Sequence, residues 1–122
     1  MSRDPWKLKV FVLADELVVT TYRLTRGFPH EERFGLQSQI RRGAVSAGTN
    51  IVEGCARRSL RDYVHFLWIA VASASEVRYL LGLAARLAFI EADDALLLAA
   101  RYDELIRGTQ KLIASLEQLA DA

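Results

Sequence analysis

The chain has 122 residues, of which 52% are hydrophobic and 25% charged, and its formal net charge is +1. This length fits one domain, spanning 1–122, that buries roughly two-thirds of its unfolded surface. The near-neutral charge gives no strong indication of a polyanion partner, and the single cysteine excludes an internal disulfide framework, so we expect a protein of the reducing cytoplasm.

Two further features favour a cytoplasmic protein without a membrane partner. The N-terminal segment MSRDPWKLKV has charges but lacks the apolar core of a signal peptide. The longest uncharged apolar run, Tyr63 to Ser75, is shorter than the ~20 residues that cross a bilayer.

Charge is distributed unevenly along the chain. Residues 1–61 carry a net charge of +5, and residues 62–122 carry −4. This asymmetry has two interpretations: the halves attract one another across a folded bundle, or the first half presents a basic surface to RNA or to an acidic partner.

The first predicted helix covers about 5–26. Asp4 can cap the free amides of its first turn, where Pro5 is tolerated. Gly27 predicts a left-handed cap at its end, and Pro29 restricts the preceding residue to extended geometry.

The second predicted helix covers about 33–56. Its apolar face is narrow and contains small residues, among them Gly43, Ala47 and Gly54. Because glycine costs about 1 kcal/mol relative to alanine inside a helix, these positions predict close packing against a neighbouring helix, or a kink.

The third predicted helix covers about 60–88 and begins at a capping box formed by Ser59 and Asp62. It is apolar on two sides and therefore needs more than one burial partner. Together with Trp68, a potential interface anchor, this pattern predicts an oligomer. The alternative is a tightly wrapped monomer that covers both faces.

The fourth predicted helix covers about 92–120, with an acidic first turn that suits the helix dipole. Four helices joined by short turns predict an all-α, antiparallel up-down-up-down four-helix bundle.

Polar residues recur every three or four positions along the second helix and continue on the third. We interpret them as an internal hydrogen-bonded network, in which a partly buried Glu76 meets Arg42 or an amide such as Asn50. A ligand or nucleic-acid site is the alternative, and catalysis is a weaker one. The predicted network comprises Gln39, Arg42, Ser46, Asn50, Glu53, Ser73 and Glu76.

Arginines concentrate near the junction of the second and third helices. Arg57, Arg58 and Arg61 cluster there, and Arg41 lies several turns earlier. Such residues can neutralise phosphates, which predicts nucleic-acid binding. The alternative is a solvated cluster at a helix C-terminus.

Catalytic and metal-binding patterns are weak. Cys55 lies near Arg57 but has no evident general base, and Asp62 with His65 lacks the second ligand pair of a di-metal bundle. Phosphate-binding loops, paired zinc cysteines and a nucleophile elbow are also missing from the sequence. We therefore expect no enzymatic activity, no metal and no cofactor.

The stretch FPHEERFGLQSQIRRGAVSAGTNIVEGCARRS, followed by FLWIAVASASEVRYLL, resembles a family of small four-helix-bundle proteins encoded in intervening sequences of bacterial 23S rRNA genes or as stand-alone genes. The matching residues are Phe28-Pro29, Glu32, Phe34-Gly35-Leu36, Gln39, Arg42, Ser46, Asn50-Ile51, Glu53-Gly54, Arg57, Ala70, Ser73 and Glu76. The family commonly has glycine where this chain has Ala72 and glutamine where it has Leu80.

The family is also similar to the accessory variability protein of diversity-generating retroelements, a basic pentameric barrel that associates with a reverse transcriptase and nucleic acid. The resemblance implies a ring-shaped homopentamer with a non-enzymatic, RNA-associated or adaptor role. A protein-interaction scaffold without nucleic-acid binding is the alternative.

Overall fold

A computed structural model describes residues 3–121, so residues 1–2 and 122 of the predicted domain lie outside the described part. Four long helices account for most of it, and residues 3–121 contain no strand, which makes the described chain all-α. The helices are α1 (Lys9–Leu24), α2 (Leu36–Cys55), α3 (Leu60–Arg86) and α4 (Ala92–Asp121).

The first helix does not run continuously over about 5–26, as the sequence predicts. A short 3-10 helix spans Pro5–Lys7, Leu8 is extended (φ −95°, ψ 124°), and α1 begins only afterwards. The Asp4 carboxylate does cap the short helix by accepting from the Trp6 amide at 3.0 Å. The break allows the N-terminal segment to reach the end of α2, where the Arg3 amide donates to the Cys55 carbonyl at 3.0 Å.

The expected left-handed cap at Gly27 is wrong, because no glycine among residues 3–121 has a positive φ. Thr25 instead ends α1 in right-handed geometry (φ −90°, ψ −1°). Its hydroxyl donates to the Thr21 carbonyl at 2.8 Å, and its own carbonyl accepts from the Phe28 amide at 3.2 Å. The chain therefore leaves α1 through a threonine-stabilised turn.

Helices α2 and α3 pack closely where glycines occur. A Cβ atom at Gly43 would lie 2.6 Å from Val77 Cγ2, and one at Gly54 would lie 3.0 Å from Tyr63 Cδ1. Both distances are shorter than an ordinary van der Waals contact, so the predicted close approach is confirmed at these two positions. Gly48 differs, because a Cβ atom there would meet no atom within 4 Å.

The third helix has well-defined ends. The Ser59 hydroxyl accepts from the Asp62 amide at 3.0 Å, as the capping box predicts. At the other end Ala88 adopts a left-handed conformation (φ 61°), and the Phe89 amide donates back to the Ala84 carbonyl at 2.9 Å. This tight turn leads directly into α4.

The helices contact one another in a cycle, α1 with α2, α2 with α3, α3 with α4 and α4 with α1, as in a four-helix bundle. Their core is mainly aliphatic and contains four buried aromatic side chains, Phe11, Phe28, Tyr63 and Tyr102. One of these, Tyr102, shares a 2.7 Å hydrogen bond with the buried Thr21 hydroxyl. Helices α2, α3 and α4 begin and end within three residues of the sequence-based bounds.

Candidate nucleic-acid interface

Three of the four predicted phosphate contacts lie together at the junction of α2 and α3. Arg57 and Arg58 occupy the turn after α2, and Arg61 lies in the first turn of α3; all three are exposed. The Arg57 guanidinium stacks over the Phe66 ring at 4.7 Å and lies 3.9 Å from the Glu53 carboxylate. Within residues 3–121, Arg58 and Arg61 form no ion pair, so their charges face solvent.

A fourth arginine joins this group from the start of the chain. The Arg3 Nη1 donates to the Arg57 carbonyl at 3.1 Å, and its guanidinium lies 4.1 Å from the centre of the Tyr63 ring. We call Arg3, Arg57, Arg58 and Arg61 the junction cluster. Sequence reasoning missed Arg3 because the contact joins residues 54 positions apart, and no local pattern indicates it.

Arg41 does not belong to the junction cluster. It precedes Arg57 by 16 positions, which corresponds to about 24 Å along a helix axis. Its Nε donates to the Thr25 hydroxyl at 2.9 Å and its Nη2 to the Tyr22 carbonyl at 3.1 Å. The guanidinium also stacks on the Tyr22 ring at 4.5 Å. Arg41 therefore links α2 to the end of α1.

The structure brings together three of the seven predicted network residues. The Ser46 and Ser73 hydroxyls share a 2.8 Å hydrogen bond between α2 and α3. The Asn50 amide donates to the Ser46 carbonyl at 2.8 Å and to its hydroxyl at 3.0 Å. These hydrogen bonds join the middle of α2 to the middle of α3. They are made by small uncharged polar side chains, and none of the predicted charged residues takes part.

The expected pairing of Glu76 with Arg42 or Asn50 is wrong for the single chain. Glu76 and Arg42 are both exposed, and among residues 3–121 no ion pair or hydrogen bond joins them. Glu76 itself lies at the surface, although Ser73, three residues earlier on α3, bonds Ser46 of α2 and Leu80, four residues later, is buried. Gln39 is exposed as well, and Glu53 faces Arg57 instead of the network.

Some large apolar side chains of α3 and α4 remain exposed in the single chain. Trp68 is 47% exposed and Tyr79 62% exposed, and on α4 Leu96 is 75% exposed. The second apolar face of α3 predicted from the sequence is mostly covered within the single chain, because Leu80 is buried and Leu83 packs against the core, whereas Leu87 is 50% exposed. Helix α3 is also long and apolar enough to cross a membrane by length and composition alone. This is weak evidence for a span, because the core helix of a bundle has the same properties.

The chemistry of Cys55 is that of a core residue. Its side chain is buried, and burial raises the pKa of the thiol, against the smaller opposing effects of Tyr63 and Arg3. A raised pKa disfavours the nucleophilic thiolate. Asp62 and His65 are exposed, and residues 3–121 contain no group of three or more His, Cys, Asp or Glu side chains that could hold a metal ion.

The excess positive charge of the first half is not neutralised by the second half through direct contacts. Of the ion pairs among residues 3–121, only Arg101–Glu16 joins the two halves, and there the cation comes from the acidic half.

The fold and this arginine-bearing junction define the class of a small four-helix-bundle protein. Residues 6–111 match the sequence model of the 23S rRNA-intervening sequence protein family. The chain therefore belongs to that family.

A solved structure is similar over most of its length. It is a protein of unknown function from the S23 ribosomal protein family of Bacteroides thetaiotaomicron, with a TM-score of 0.79 and 26% sequence identity. The alignment covers 85% of this chain and 97% of that one. A search of curated proteins finds no match.

Proposed function

We propose that the protein is a non-enzymatic, oligomeric four-helix-bundle module that associates with nucleic acid, foremost RNA, and acts as an adaptor. The observation that carries this proposal is the junction cluster, in which four arginines from two distant parts of the chain meet on one surface. Phosphate oxygens are the natural partners of exposed guanidinium groups. The name of the family, which refers to 23S rRNA, points in the same direction.

The proposed assembly is a ring-shaped homopentamer of antiparallel, up-down-up-down subunits, related to the accessory variability proteins of retroelements. Supporting the topology, Gly43 lies near Val77 while Gly54 lies near Tyr63, so the sequence order of the contacts reverses between α2 and α3. Supporting an assembly, Trp68 remains half exposed. A ring would repeat the junction cluster around an axis and enlarge its positive field.

The proposed location is the cytoplasm, without a membrane partner. A free, buried cysteine is compatible with a reducing compartment. The proposal includes no cofactor and no catalytic residue. For Cys55, burial raises the pKa of the thiol, which disfavours a nucleophilic role for that residue.

The proposal is tested by equilibrium binding to structured RNA and duplex DNA across a salt series, with the particle mass measured in the same buffers. We expect log affinity to fall linearly with log salt. For duplex DNA, Arg57→Ala combined with Arg58→Ala should make the slope less negative by about 2 if each contacts one phosphate. The control is Arg86→Ala with Arg107→Ala, which removes two exposed arginines outside the junction cluster.

An equal change of slope in the control would mean that net charge, and not the junction cluster, determines binding. The alternative function is a protein-interaction scaffold without nucleic-acid binding, favoured by the exposed Trp68, Tyr79 and Leu96. An intact oligomer that binds neither RNA nor DNA at low salt would reject nucleic-acid association and favour the scaffold.

A further inference from the structure

A second surface that combines arginines with aromatic rings lies at the opposite end of α2 from the junction cluster. It is an open cleft of about 700 Å³ between the end of α1, the turn before α2 and the first turns of α2. The cleft is lined by two aromatic rings and three arginines, with no acidic residue among its lining side chains. These five residues, Tyr22, Arg33, Phe34, Arg41 and Arg42, define what we call the aromatic cleft.

Phe34 is the most exposed large apolar side chain in the described chain, at 87%. It stands in a built turn, because the Glu32 carboxylate accepts from the Leu36 amide at 3.0 Å and thereby caps α2. A Cβ atom at Gly35 would lie 2.8 Å from that carboxylate, so glycine makes room for the cap. The ring is thus held at the surface by an ordered turn, although burial would be favourable for it.

The arginines of the cleft are arranged beside its rings. Arg41 is fixed over Tyr22 at 4.5 Å by its two hydrogen bonds to the end of α1, and the Arg33 guanidinium lies 5.2 Å from the centre of the Phe34 ring. Arg42 is exposed at the same cleft. Charge and flat apolar surface therefore occur together, with the Arg41–Tyr22 pair ordered before any ligand arrives.

Exposed aromatic rings and guanidinium planes are the groups on which unstacked nucleic-acid bases stack, while the arginine charges attract the phosphates between them. A duplex hides the faces of its bases and cannot use such a platform. We infer that the aromatic cleft binds single-stranded RNA, with a base stacked on Phe34 and phosphates held by Arg33 and Arg42. This inference rests on the proposed nucleic-acid association and names the form of nucleic acid that this second surface takes.

The test uses three labelled probes of equal length: oligouridylate, an abasic strand that keeps the phosphates, and an RNA duplex. We expect the protein to bind oligouridylate more tightly than the abasic strand at equal salt. Phe34→Ala should weaken oligouridylate binding on the order of 5- to 100-fold and leave the affinity for the other two probes unchanged. Phe34→Trp, which keeps a stacking ring, should restore it. Tyr79→Ala, which removes an exposed ring outside the cleft, is the matched control.

The outcomes separate this inference from the function on which it rests. If all three probes bind with salt-dependent but equal affinity, and Phe34→Ala changes nothing, the cleft is not a base-stacking site while nucleic-acid association stands. If no probe binds at low salt, nucleic-acid association itself fails. A change of particle mass in Phe34→Ala would instead assign the cleft to contacts between copies of the chain and overturn the inference. Loss of oligouridylate binding in Phe34→Ala but not in Arg57→Ala with Arg58→Ala supports it.

Discussion

At the scale of single residues, the glycines of the bundle divide into those that permit helix contact and those that do not. Gly43 lies against the buried Val77 of α3, whereas Gly82 faces open space. Val77 is β-branched and buried, so it has little freedom to move away from an added methyl group. The same substitution should therefore have opposite effects at the two positions.

We expect Gly43→Ala to lower the free energy of unfolding by about 1–3 kcal/mol, because overpacking outweighs the gain in helix propensity. Gly82→Ala should raise it by up to about 1 kcal/mol. Urea unfolding followed by circular dichroism measures both. A stabilised Gly43→Ala variant would show that α2 and α3 can separate at this contact without cost.

Buried ionisable groups predict a loss of stability at alkaline pH. Burial raises the pKa of Tyr63 and of Tyr102 to about 12, and the pKa of Cys55 is raised for the same reason. A folded-state pKa above the unfolded value favours the protonated form in the native state. The stability that the protonated tyrosines contribute is fully present below the unfolded tyrosine pKa of about 10. It is lost as pH rises toward about 12.

Tyr102→Phe separates this effect from the hydrogen bond that Tyr102 shares with Thr21. At neutral pH we expect the variant to lose about 1 kcal/mol of unfolding free energy with that bond. Between about pH 10 and 12 its stability should fall less steeply than that of the parent chain. Tyr79→Phe, an exposed site, serves as the control. Parallel pH curves for all three proteins would contradict the assigned cause.

At the scale of elements, the backbone is strained at Ala88, in the turn that follows α3. Ala88 adopts φ 61°, the left-handed conformation in which a residue with a Cβ atom costs roughly 1–2 kcal/mol. Glycine is common at this position of a helix end because it lacks that cost. The chain nevertheless turns here without one.

Ala88→Gly should accordingly raise the free energy of unfolding by up to about 1 kcal/mol, since the relief of strain exceeds the added entropy of the unfolded chain. Ala114→Gly, the same chemical change at an exposed position inside α4, should lower it by about 1 kcal/mol. Thermal unfolding of the two variants measures the difference. Destabilisation of equal size at both positions would mean that the turn after α3 carries no strain.

The elements that could be predicted from the sequence are those determined by local pattern. Helices α2, α3 and α4 and the Ser59 cap follow from apolar periodicity and from side chains a few positions apart. The break at Leu8 could not be predicted, because the segment before it contacts the distant end of α2 through the hydrogen bond from Arg3 to Cys55. The left-handed Ala88 could not be predicted, because alanine does not favour that conformation.

The candidate interface shows the same limit. Arg57, Arg58 and Arg61 could be grouped because they are close in sequence, whereas Arg3 reaches them only through the fold. Glu76 was placed on an apolar stripe with Leu80 and Leu83; Leu80 is buried and Leu83 packs against the core, yet Glu76 itself is exposed. Periodicity identifies an apolar face but does not say what covers it.

At the scale of the whole molecule, most of the exposed arginines take no part in the contacts that hold the fold together, Arg3 and Arg41 excepted. The junction cluster and the aromatic cleft lie at opposite ends of α2, and both contain arginines that the core does not use. The ion pairs that the described residues do form are all about half exposed: Arg57–Glu53, Arg78–Asp103, Arg101–Glu16 and Arg101–Glu104. Such pairs contribute about 0–1 kcal/mol each and are screened by salt.

Salt should therefore affect binding far more than folding. Between about 50 and about 200 mM NaCl we expect the free energy of unfolding to change by less than about 1 kcal/mol, and Arg78→Ala to have a comparably small effect. Over the same range the affinity for nucleic acid should fall several-fold or more, in proportion to the number of phosphates contacted. Urea unfolding at each salt concentration used for binding measures the first quantity. If stability or particle mass instead fell in step with affinity, the salt dependence of binding would report loss of the assembly, and the arginines would be structural charges.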